Sequence, residues 1–239
     1  MSKAGKYYLI LSALFIAALV SCNLIFQKFF VWHPFGFTEN WSTSWSTLSE
    51  FKFELSVGIL PYPITFLITD CISEIYGRKR ANQTVIAGFW AALFVLLIVT
   101  VANAAQATTW SPVDNGTFET VFGLTAASVG ASMAAYLIAQ LIDVRIYHFW
   151  KKVTKGKKLW LRNNFSTMAS QLIDTATVLV LLCACGAIEW SRFSELFVYG
   201  FLFKIIVALF DTPLLYLFTF FLRKKLHLKM GEEVQDVRF

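Results

Sequence analysis

LPYPITFLITDCISEIYGRKR, residues 60–80, is apolar enough to cross a membrane as a helix, yet it carries two acidic residues. Asp70 and Glu74 lie four residues apart and therefore share a helical face. Asp70 precedes Gly77 by seven residues, which places it roughly 10 Å from the basic end and inside the hydrocarbon layer. An isolated charge there costs about 3 kcal/mol or more. We therefore expect Asp70 to face a protein interior and to have a function.

Glu74 has two open interpretations. It shares the face of Asp70, which favours a functional group in the same interior. It also stands close to the basic run of residues 78–80, so it could mark only the end of the helix beside those cations. The sequence leaves both interpretations open.

The whole chain has the composition of a polytopic membrane protein. It has 239 residues, 57% of them hydrophobic, and a mean hydropathy of +0.60, which is too apolar for an ordinary soluble domain of this size. We predict an all-α integral membrane protein with one domain over residues 1–239 and six transmembrane helices. The predicted spans are about 7–31, 54–76, 82–103, 119–148, 163–189 and 195–222, each long enough to cross with some tilt.

Basic residues are concentrated in the segments that would lie on one side of the membrane. With a cytoplasmic N-terminus, only Lys28, Lys52 and Arg192 fall on the outer side, and Lys204 lies within a span. This bias predicts that both termini are cytoplasmic. Anionic lipid headgroups then account for the net charge of +6, so the charge gives no reason to expect a nucleic-acid partner.

The chain lacks sequence signals for a cofactor, a metal or ATP. Its cysteines fall within predicted spans at no metal-ligand or disulfide spacing; they are Cys22, Cys71, Cys183 and Cys185. The basic connector KKVTKGKK, residues 151–158, lacks the GxxxxGK[ST] phosphate loop, and no other segment supplies one. We expect no cofactor, no metal and no ATP hydrolysis by that route.

The first and fourth spans carry polar residues at helical spacing. Asn23 and Gln27 lie four residues apart near the outer end of the first span, where they could bind a polar solute or bond to a neighbouring helix. The fourth span has a longer polar stripe, which could be a helix contact but is better explained by a polar cavity. The stripe consists of Ser128, Ser132, Tyr136, Gln140, Asp143 and Tyr147.

The fifth span places an acidic residue near the middle of the bilayer. Asp174 lies about eleven residues into the span, which corresponds to the midplane. It ends a series of polar residues at helical spacing that also contains Asn163, Thr167, and Ser170 or Gln171. Of all the acidic residues, Asp174 is the one least expected to be structural.

The sixth span contains a cation that needs a partner. Lys204 and Asp211 lie on nearly the same face but about 10 Å apart along the axis, too far to pair directly. We therefore expect Lys204 to pair with a carboxylate of another helix, with Asp174 as the candidate. The pair could serve transport, or it could only fix the packing of the helices.

Together these polar groups narrow the class of ligand. Membrane proteins place such groups around solute or proton pathways. Carboxylates and amides can accept from the ring N–H and exocyclic amine of a planar heterocycle and donate to its carbonyl, while an aromatic side chain covers its face. A guanine-like base fits this inventory, and so do several other polar solutes.

Four parts of the chain resemble the queuosine precursor transporter family, a branch of the vitamin uptake transporters. They are PITFLITDCISEIYG (63–77), QLIDVRIYHFWKK (140–152), LWLRNNFSTMASQLIDT (159–175) and Lys204. The resemblance covers residues 60–215 or so, with weaker support from residues 21–23. It places Asp70, Asp143, Asn163, Ser170, Asp174 and Lys204 at motif positions.

The resemblance implies both a fold and a substrate. The fold would be a six-helix membrane domain similar to the substrate-binding component of energy-coupling-factor importers. The substrates would be 7-cyano-7-deazaguanine and 7-aminomethyl-7-deazaguanine, precursors of queuosine in tRNA. We therefore predict a transporter of deazapurine precursors in the bacterial inner membrane that acts without its own nucleotide-binding domain.

In the predicted mechanism, the base enters under the Trp-rich segment 32–53, which would form an interfacial belt or, less strongly indicated, a lid. Asp174 with Gln171 and Asn163 would hold its polar edge, and an aromatic side chain of the first, second or sixth span would stack on it. The remaining binding candidates are Asp70, Ser170 and Asn23. The groups predicted to couple opening to a proton, to reset the empty carrier or to form ion pairs are Asp70, Asp143, Lys204, Asp211 and Gln140.

Two other functions fit less well. A solute-binding component that needs a separate ATP-driven module shares the whole pattern, and would show no uptake when expressed alone. An intramembrane enzyme would have only Asp143 and Asp174 as acid and base, with no nucleophile or metal-ligand arrangement. The expected partners are therefore a deazapurine and membrane lipid, while a homo-oligomer and an ATP-driven module stay open.

Overall fold

The computed structural model describes residues 2–26, 28–32, 53–123, 126–155, 157–184, 186, 188–229 and 231–234; for residues 29, 32, 53, 54 and 126–132 only the backbone is described. Within these ranges the chain forms seven α-helices, two short strands and two single 3-10 turns. The helices are α1 (Lys3–Ile25), α2 (Tyr62–Ile75), α3 (Gly77–Ala104), α4 (Asn115–Phe122), α5 (Ala126–Val153), α6 (Leu159–Ala184) and α7 (Phe193–Leu226). The strands are β1 (Phe29–Trp32) and β2 (Phe53–Ser56), and the 3-10 turns are Val57–Ile59 and Trp190–Arg192.

Helix α1 is shorter than the predicted first span. Ser2 caps it, because its side chain accepts a hydrogen bond from the N–H of Gly5 at 3.0 Å. The prediction that the span continues to residue 31 is wrong, because residues 29–32 pair antiparallel with residues 53–56. Strand pairing satisfies backbone groups there, in a sequence rich in aromatic residues that favour strands.

Helix α2 lies at the centre of the fold. It packs against α1, α3, α5 and α7, and every residue from Ile68 to Ile75 is buried. The predicted span 54–76 is wrong at its start, because β2 and a 3-10 turn precede the helix, which begins at Tyr62 directly after Pro61. Proline suits a first helical turn, where its missing N–H has no partner to lose. At about 21 Å, α2 is too short to cross a 30 Å hydrocarbon layer alone.

The junction between α2 and α3 depends on Gly77. Its φ of +79° lies in the left-handed region, which side chains disfavour. Tyr76 completes α2 by donating its N–H to the carbonyl oxygen of Ile72 at 2.8 Å. A glycine at this position lets the chain change direction within one residue.

Four helical segments of the described chain are long and apolar enough to cross a membrane. They are α1, α3, α6 and the segment Trp190–Leu226, which contains α7. The predicted helical membrane class is therefore confirmed, while the count of six spans stays a prediction. The predicted fourth span is divided between α4 and α5. The fifth helix of the prediction lies at 159–184 and the sixth at 193–226.

The two halves of the interior differ in chemistry. Between α1, α2 and α3 the core is apolar and includes the fully buried Phe15, Ile72 and Val85. Helix α6 instead buries a polar face against α5 and α7. That face contains Arg162, Asn163, Asn164, Ser166, Thr167, Ser170, Gln171, Asp174 and Thr175. Buried polar groups require hydrogen-bond partners, and a bound ligand can supply some of them. We therefore expect the candidate site in this half of the interior.

Candidate functional site

An ion pair joins α6 to α7 beside the start of α2. Lys204 Nζ lies 2.8 Å from Asp174 Oδ2, and it also donates to Thr175 Oγ1 at 3.0 Å. The hydroxyl of Tyr62 donates to the same Asp174 oxygen at 2.5 Å. The predicted pairing of Lys204 with Asp174 is confirmed, and Tyr62 is a second donor that the sequence analysis did not identify.

The ring of Tyr62 is held from several sides. Lys204 Nζ lies 4.6 Å from its centroid, a distance suited to a cation–π contact. The ring centroids of Phe66 and Tyr136 lie 5.4 Å and 5.7 Å away. Tyr62 is the first residue of α2, and its hydrogen bond to Asp174 and its contact with Lys204 join the start of α2 to α6 and α7.

A small cavity lies beside the ion pair, between α2, α6 and α7. Its empty volume is about 260 Å³. Its polar lining comes from Thr167, Gln171, Lys204 and Asp211, and its aromatic lining from Tyr62, Phe66 and Phe203. The cavity thus combines a cation, a carboxyl group, an amide and three rings.

Among the described residues, one buried amide oxygen and one partly buried carboxyl group of this cavity have no donor. Gln171 is 4% exposed, and its Oε1 has no hydrogen-bond partner among the described residues. Asp211 likewise forms no ion pair or hydrogen bond within the described part of the chain. For the buried Gln171 oxygen, the missing donor costs about 1 to 3 kcal/mol, whereas the partly exposed Asp211 carboxyl group can be hydrated. Both oxygens are therefore available to N–H groups of a ligand.

Between α2 and α5, Gln140 is the centre of a buried network of neutral side chains. Its Nε2 donates to the hydroxyls of Tyr136 at 2.9 Å and Thr65 at 3.4 Å, while its Oε1 accepts from Thr69 at 3.3 Å. At Gln140 the polar stripe of the fourth span is a helix contact rather than the lining of a cavity. The side chains of residues 128 and 132 lie outside the described part of the chain.

Asp70 and Asp143 lie deeper in the same contact. They are 1% and 0% exposed, and Asp143 is the titratable group that interacts most strongly with Asp70. Ser170 donates its hydroxyl to Asp143 Oδ1 at 3.0 Å. The expectation that Asp70 faces a protein interior is confirmed. Neither Asp70 nor Ser170 lines the cavity, so the structure does not place these two predicted binding residues there.

Asn163 is also separated from the cavity lining. Its Nδ2 donates to Thr212 Oγ1 at 3.2 Å, and Asn164 donates to the same oxygen at 3.0 Å. These bonds join α6 to α7 one residue after Asp211. The structure therefore gives Asn163 a helix-joining contact rather than the predicted position at the edge of the base.

Asn23 lines a different cavity. That cavity has an empty volume of about 450 Å³ and is otherwise mainly apolar, with Ala92, Val99 and Met133 among its lining residues. Asn23 donates to the carbonyl oxygen of Leu19 at 3.1 Å. We assign the candidate site to the smaller cavity because a polar ligand needs convergent polar groups. The predicted partner of Asn23 at position 27 lies outside the described residues.

The carboxylate of Glu74 is shared by three cations from three helices. Arg162 on α6 forms an ion pair with it, Arg223 Nη2 on α7 lies at 2.6 Å, and Lys151 Nζ on α5 lies at 3.5 Å. The side chain of Glu74 is only 3% exposed. The interpretation that Glu74 only marks a helix end beside residues 78–80 is wrong, because its partners lie on other helices.

The C-terminal segment, residues 231–234, contacts the cluster formed by Glu74 and its three cations. Lys151 Nζ lies 2.7 Å from Glu233 and donates to the carbonyl oxygen of Glu74 at 3.1 Å. The N–H of Val234 donates to the carbonyl oxygen of Ile75 at 2.8 Å. Lys151 thus neutralises the negative end of α2 and attaches the C-terminal segment to it.

Several of these residues carry little local signal in the sequence. Tyr62 follows a proline at the start of a helix, and this is the only local signal for its position. Arg162, Lys151 and Arg223 were counted as cytoplasmic cations by the charge bias, which says nothing about their pairing. Residues 33–52, for which a belt or a lid was predicted, lie outside the described residues.

Metal-ligating side chains do not converge in the described part of the chain. No group of three or more His, Cys, Asp or Glu residues there could hold a metal ion. Cys22, Cys71 and Cys183 are buried free thiols. The fourth cysteine, at position 185, lies outside the described residues.

Comparison with known families decides the class of protein. The family described as "Putative vitamin uptake transporter" matches residues 56–218, a range that includes every lining residue of the smaller cavity. The chain belongs to this family. It is thus a member of a transporter family and not of an enzyme family, as predicted.

Three relatives are distant in sequence, and all three are named as queuosine precursor transporters. A "Probable queuosine precursor transporter" of Bacillus subtilis is 29% identical over 71% of this chain and 74% of its own length. A "Probable queuosine precursor transporter" of Haemophilus influenzae is 26% identical over 62% of this chain and 60% of its own length. The "Queuosine precursor transporter" of Escherichia coli is 22% identical over 66% and 69%. The predicted family resemblance is confirmed.

No solved structure matches the chain. The similarity to the substrate-binding component of energy-coupling-factor importers therefore stays a prediction.

Proposed function

We propose that this transporter imports queuosine precursors, 7-cyano-7-deazaguanine or 7-aminomethyl-7-deazaguanine, and binds them in the cavity between α2, α6 and α7. The family match and the names of the relatives support the substrate class. The observation that carries the proposal is the buried Gln171 Oε1, which has no donor among the described residues, in a cavity that also contains the partly buried Asp211 carboxyl group, a cation and three rings.

These groups complement the edge of a guanine-like base. The ring N–H and exocyclic amine of such a base are neighbouring donors, which Gln171 and Asp211 can accept. Its carbonyl oxygen is an acceptor, to which Lys204 can donate. Tyr62, Phe66 and Phe203 supply apolar faces for stacking, and base–aromatic stacking contributes about 1 to 3 kcal/mol.

Asp174 does not line the cavity but contacts two residues that do. Its Oδ2 already accepts from Lys204 and Tyr62, so it fixes the position of one donor and one ring of the site. Neutralising Asp174 would release both and leave Lys204 with an unbalanced charge at low exposure. A buried cation without its partner is strongly unfavourable.

The cavity must widen before a base can enter. The space of about 260 Å³ includes volume open to solvent, and its enclosed part has room for about one water molecule, far less than a base needs. Pro213 lies within α7 two residues after Asp211 and lacks the N–H that would bond to the preceding turn. Helix α7 can therefore bend there, and bending moves Lys204 and Asp211 relative to α6.

The proposed setting is the bacterial inner membrane, with six spans, both termini cytoplasmic and the transport cycle driven without a nucleotide-binding domain of its own. Four membrane-crossing segments and the bias of basic residues support this setting. The coupling groups named from the sequence, including Asp143, Gln140 and Lys204, would then act within one transport domain.

Uptake by the chain expressed alone tests this function. Bacteria that neither make nor import queuosine precursors would receive each deazaguanine, and queuosine in tRNA would be assayed. We expect restoration by the natural chain and by Glu119→Gln, an exposed control, and loss with Asp174→Asn. Binding and uptake that persist in Asp174→Asn would refute the proposed site.

Exchanging the two charges separates transport from packing. The double variant Asp174→Lys with Lys204→Asp preserves an ion pair between α6 and α7, so we expect it to insert in the membrane but to lose uptake. Full uptake by this variant would show that the pair only fixes helix packing. A natural chain that binds deazaguanines without importing them would instead be a component that needs a separate ATP-driven module.

A further inference from the structure

Asp70 and Asp143 form a buried pair of carboxyl groups that the proposed binding site does not use. They are 1% and 0% exposed, and they come from α2 and α5. Both oxygens of Asp70 and Oδ2 of Asp143 have no hydrogen-bond partner among the described residues. Two negative charges that interact this strongly at this depth, with three oxygens unpaired among the described residues, are not a stable arrangement.

Among the described residues, the one cation that interacts with Asp70 is Arg162, and Glu74 shares it. The other charged groups that interact with Asp70 are Asp211 on α7 and Arg162 on α6. Arg162 is paired with Glu74 and lies against the ring of Tyr147, 5.4 Å from its centroid. The pair is therefore short of one positive charge.

The other titratable side chains buried in α1, α2, α3 and α5 include tyrosines and cysteines, which are not cations. Tyr147 on α5 and Cys71 on α2 are the buried titratable side chains that also interact with Asp70. Among the buried residues of α1 and α3, the titratable groups are Tyr8 and Cys22. None of these four side chains supplies a charge.

We propose that Asp70 and Asp143 form a proton-binding site that is separate from the ligand cavity, with one proton shared between them and carried chiefly by Asp70. The two members are unequal, because Ser170 donates to Asp143 while Asp70 receives no hydrogen bond from the described residues. A carboxylate with a donor is the better place for the negative charge. Binding forms one O–H bond on Asp70 and breaks one O–H bond of a hydronium ion in the outer aqueous phase, which becomes a water molecule.

A proton fits this pair better than a metal ion. Hard metal cations take about six or more oxygen ligands, whereas the described residues here offer three unpaired carboxyl oxygens and no metal-binding group of three acidic, cysteine or histidine side chains. A pair of carboxyl groups in contact holds a single proton readily, since both members are not ionised together.

Helix α6 connects the proton site to the ligand cavity. Ser170 contacts Asp143, and the next residue, Gln171, lines the cavity. Helix α2 similarly carries Tyr62 at the cavity and Asp70 at the pair. A movement of α2 against α6 that opens the cavity therefore also alters the pair, which couples proton release to ligand release. This coupling, unlike the site itself, rests on the proposed function.

Infrared spectroscopy of the purified chain in lipid tests the site without any ligand. We expect a C=O stretching band of a protonated carboxylic acid at neutral pH that shifts in D2O. The band should disappear in Asp70→Asn, because Asp143 then ionises with its Ser170 donor, and persist in Asp143→Asn and in the exposed control Asp114→Asn. Absence of the band in the natural chain, or its persistence in Asp70→Asn, would overturn the proposal.

Vesicle transport tests the coupling, with 7-cyano-7-deazaguanine as the neutral probe and the membrane potential clamped at zero. For one proton per ligand, a gradient of one pH unit, acid outside, should drive about tenfold accumulation. Asp70→Asn should lose this accumulation while still exchanging labelled for unlabelled probe. Accumulation by Asp70→Asn that equals the natural chain, or accumulation driven by a sodium gradient at equal pH, would refute coupling at this site. Failure of the natural chain to exchange the probe would refute the proposed substrate, and the infrared result would still decide the proton site.

Discussion

Glu74 and Arg162 form an ion pair in which both side chains are almost completely buried, with exposed fractions of 3% and 1%. Glu74 comes from the end of α2 and Arg162 from the first turn of α6, so the pair joins elements far apart in the sequence. Arg223 and Lys151 add two further helices to the same carboxylate. Two opposite charges buried this deeply neutralise each other, and removing either one leaves the other unpaired at a high cost in stability.

Replacing Glu74 by Gln should therefore destabilise the protein severely. The change keeps the shape but leaves Arg162, Arg223 and Lys151 around a neutral group, and removing one partner of a buried pair costs about 3 kcal/mol or more. The midpoint of thermal unfolding in detergent measures the effect. The exposed Glu195→Gln on α7 is the matched control and should leave the midpoint unchanged. Equal midpoints for the two variants would show that the cluster contributes no stability.

Substituting Gly77 by Ala should weaken the contact between the C-terminal segment and α2. A methyl group at φ +79° costs about 1 kcal/mol in backbone strain, and it would also collide with the carboxylate of Glu233. Gly116→Ala, whose added methyl group would meet only the Asp114 side chain at an ordinary contact distance of 3.6 Å, is the control and should be neutral.

Combining Gly77→Ala with Glu233→Ala separates strain from collision. In the natural chain Glu233→Ala removes a half-exposed ion pair, worth less than about 1 kcal/mol. In the Gly77→Ala background it should cost less than this, or stabilise, because it also removes the collision. Strictly additive unfolding energies in this cycle would show that the two residues are not in contact.

Tyr62 contributes a hydroxyl and a ring that two variants distinguish. Tyr62→Phe removes the hydrogen bond to Asp174, a bond to a charged group worth about 1.5 to 3 kcal/mol, so stability should fall. It keeps the ring, so affinity for the deazaguanines should change little. Tyr62→Leu removes stacking and should weaken binding by tenfold or more, since stacking is worth about 1 to 3 kcal/mol. Calorimetric titration measures the affinity of each variant for the deazaguanines. Equal affinities for the Phe and Leu variants would exclude stacking on this ring.

Gln171 should act through its carbonyl oxygen. Gln171→Leu has a similar volume but no acceptor, and we expect binding of either deazaguanine to weaken by about tenfold to a hundredfold. Gln171→Glu keeps an acceptor and should bind more tightly than the Leu variant. The exposed Gln83→Leu on α3 is the control. If Gln171→Leu bound the deazaguanines as tightly as the natural chain, Gln171 Oε1 would not accept a hydrogen bond from the base.

Local patterns in the sequence were sufficient for part of the site. The depth of Asp70 along its helix predicted a buried position, and the need of Lys204 for a distant carboxylate predicted its bond to Asp174. Both inferences rest on the cost of an unpaired charge in a membrane, which depends on depth alone. The same reasoning failed for Asn163 and Asn23, because helical spacing gives a face and not the neighbour that the face meets.

Helix ends were the weakest part of the fold prediction. Hydropathy continues from α1 through Phe29 and Val31, and through Leu55 before α2, so the predicted spans included residues that form strands. The choice of strand depends on pairing between residues 29–32 and 53–56, which are separated by more than twenty positions. A window of sequence contains only one member of such a pairing.

The sequence by itself determined that this is a helical membrane protein, which end of each span is basic, and which transporter family it belongs to. These properties depend on composition and motifs that lie within single segments of the chain. Only the tertiary structure decided that Arg162, Arg223 and Lys151 share Glu74, that Tyr62 reaches Asp174, and that Asp70 lies against Asp143. Each of these contacts depends on the relative rotation and height of two packed helices, and that arrangement follows from the packing of all the helices at once.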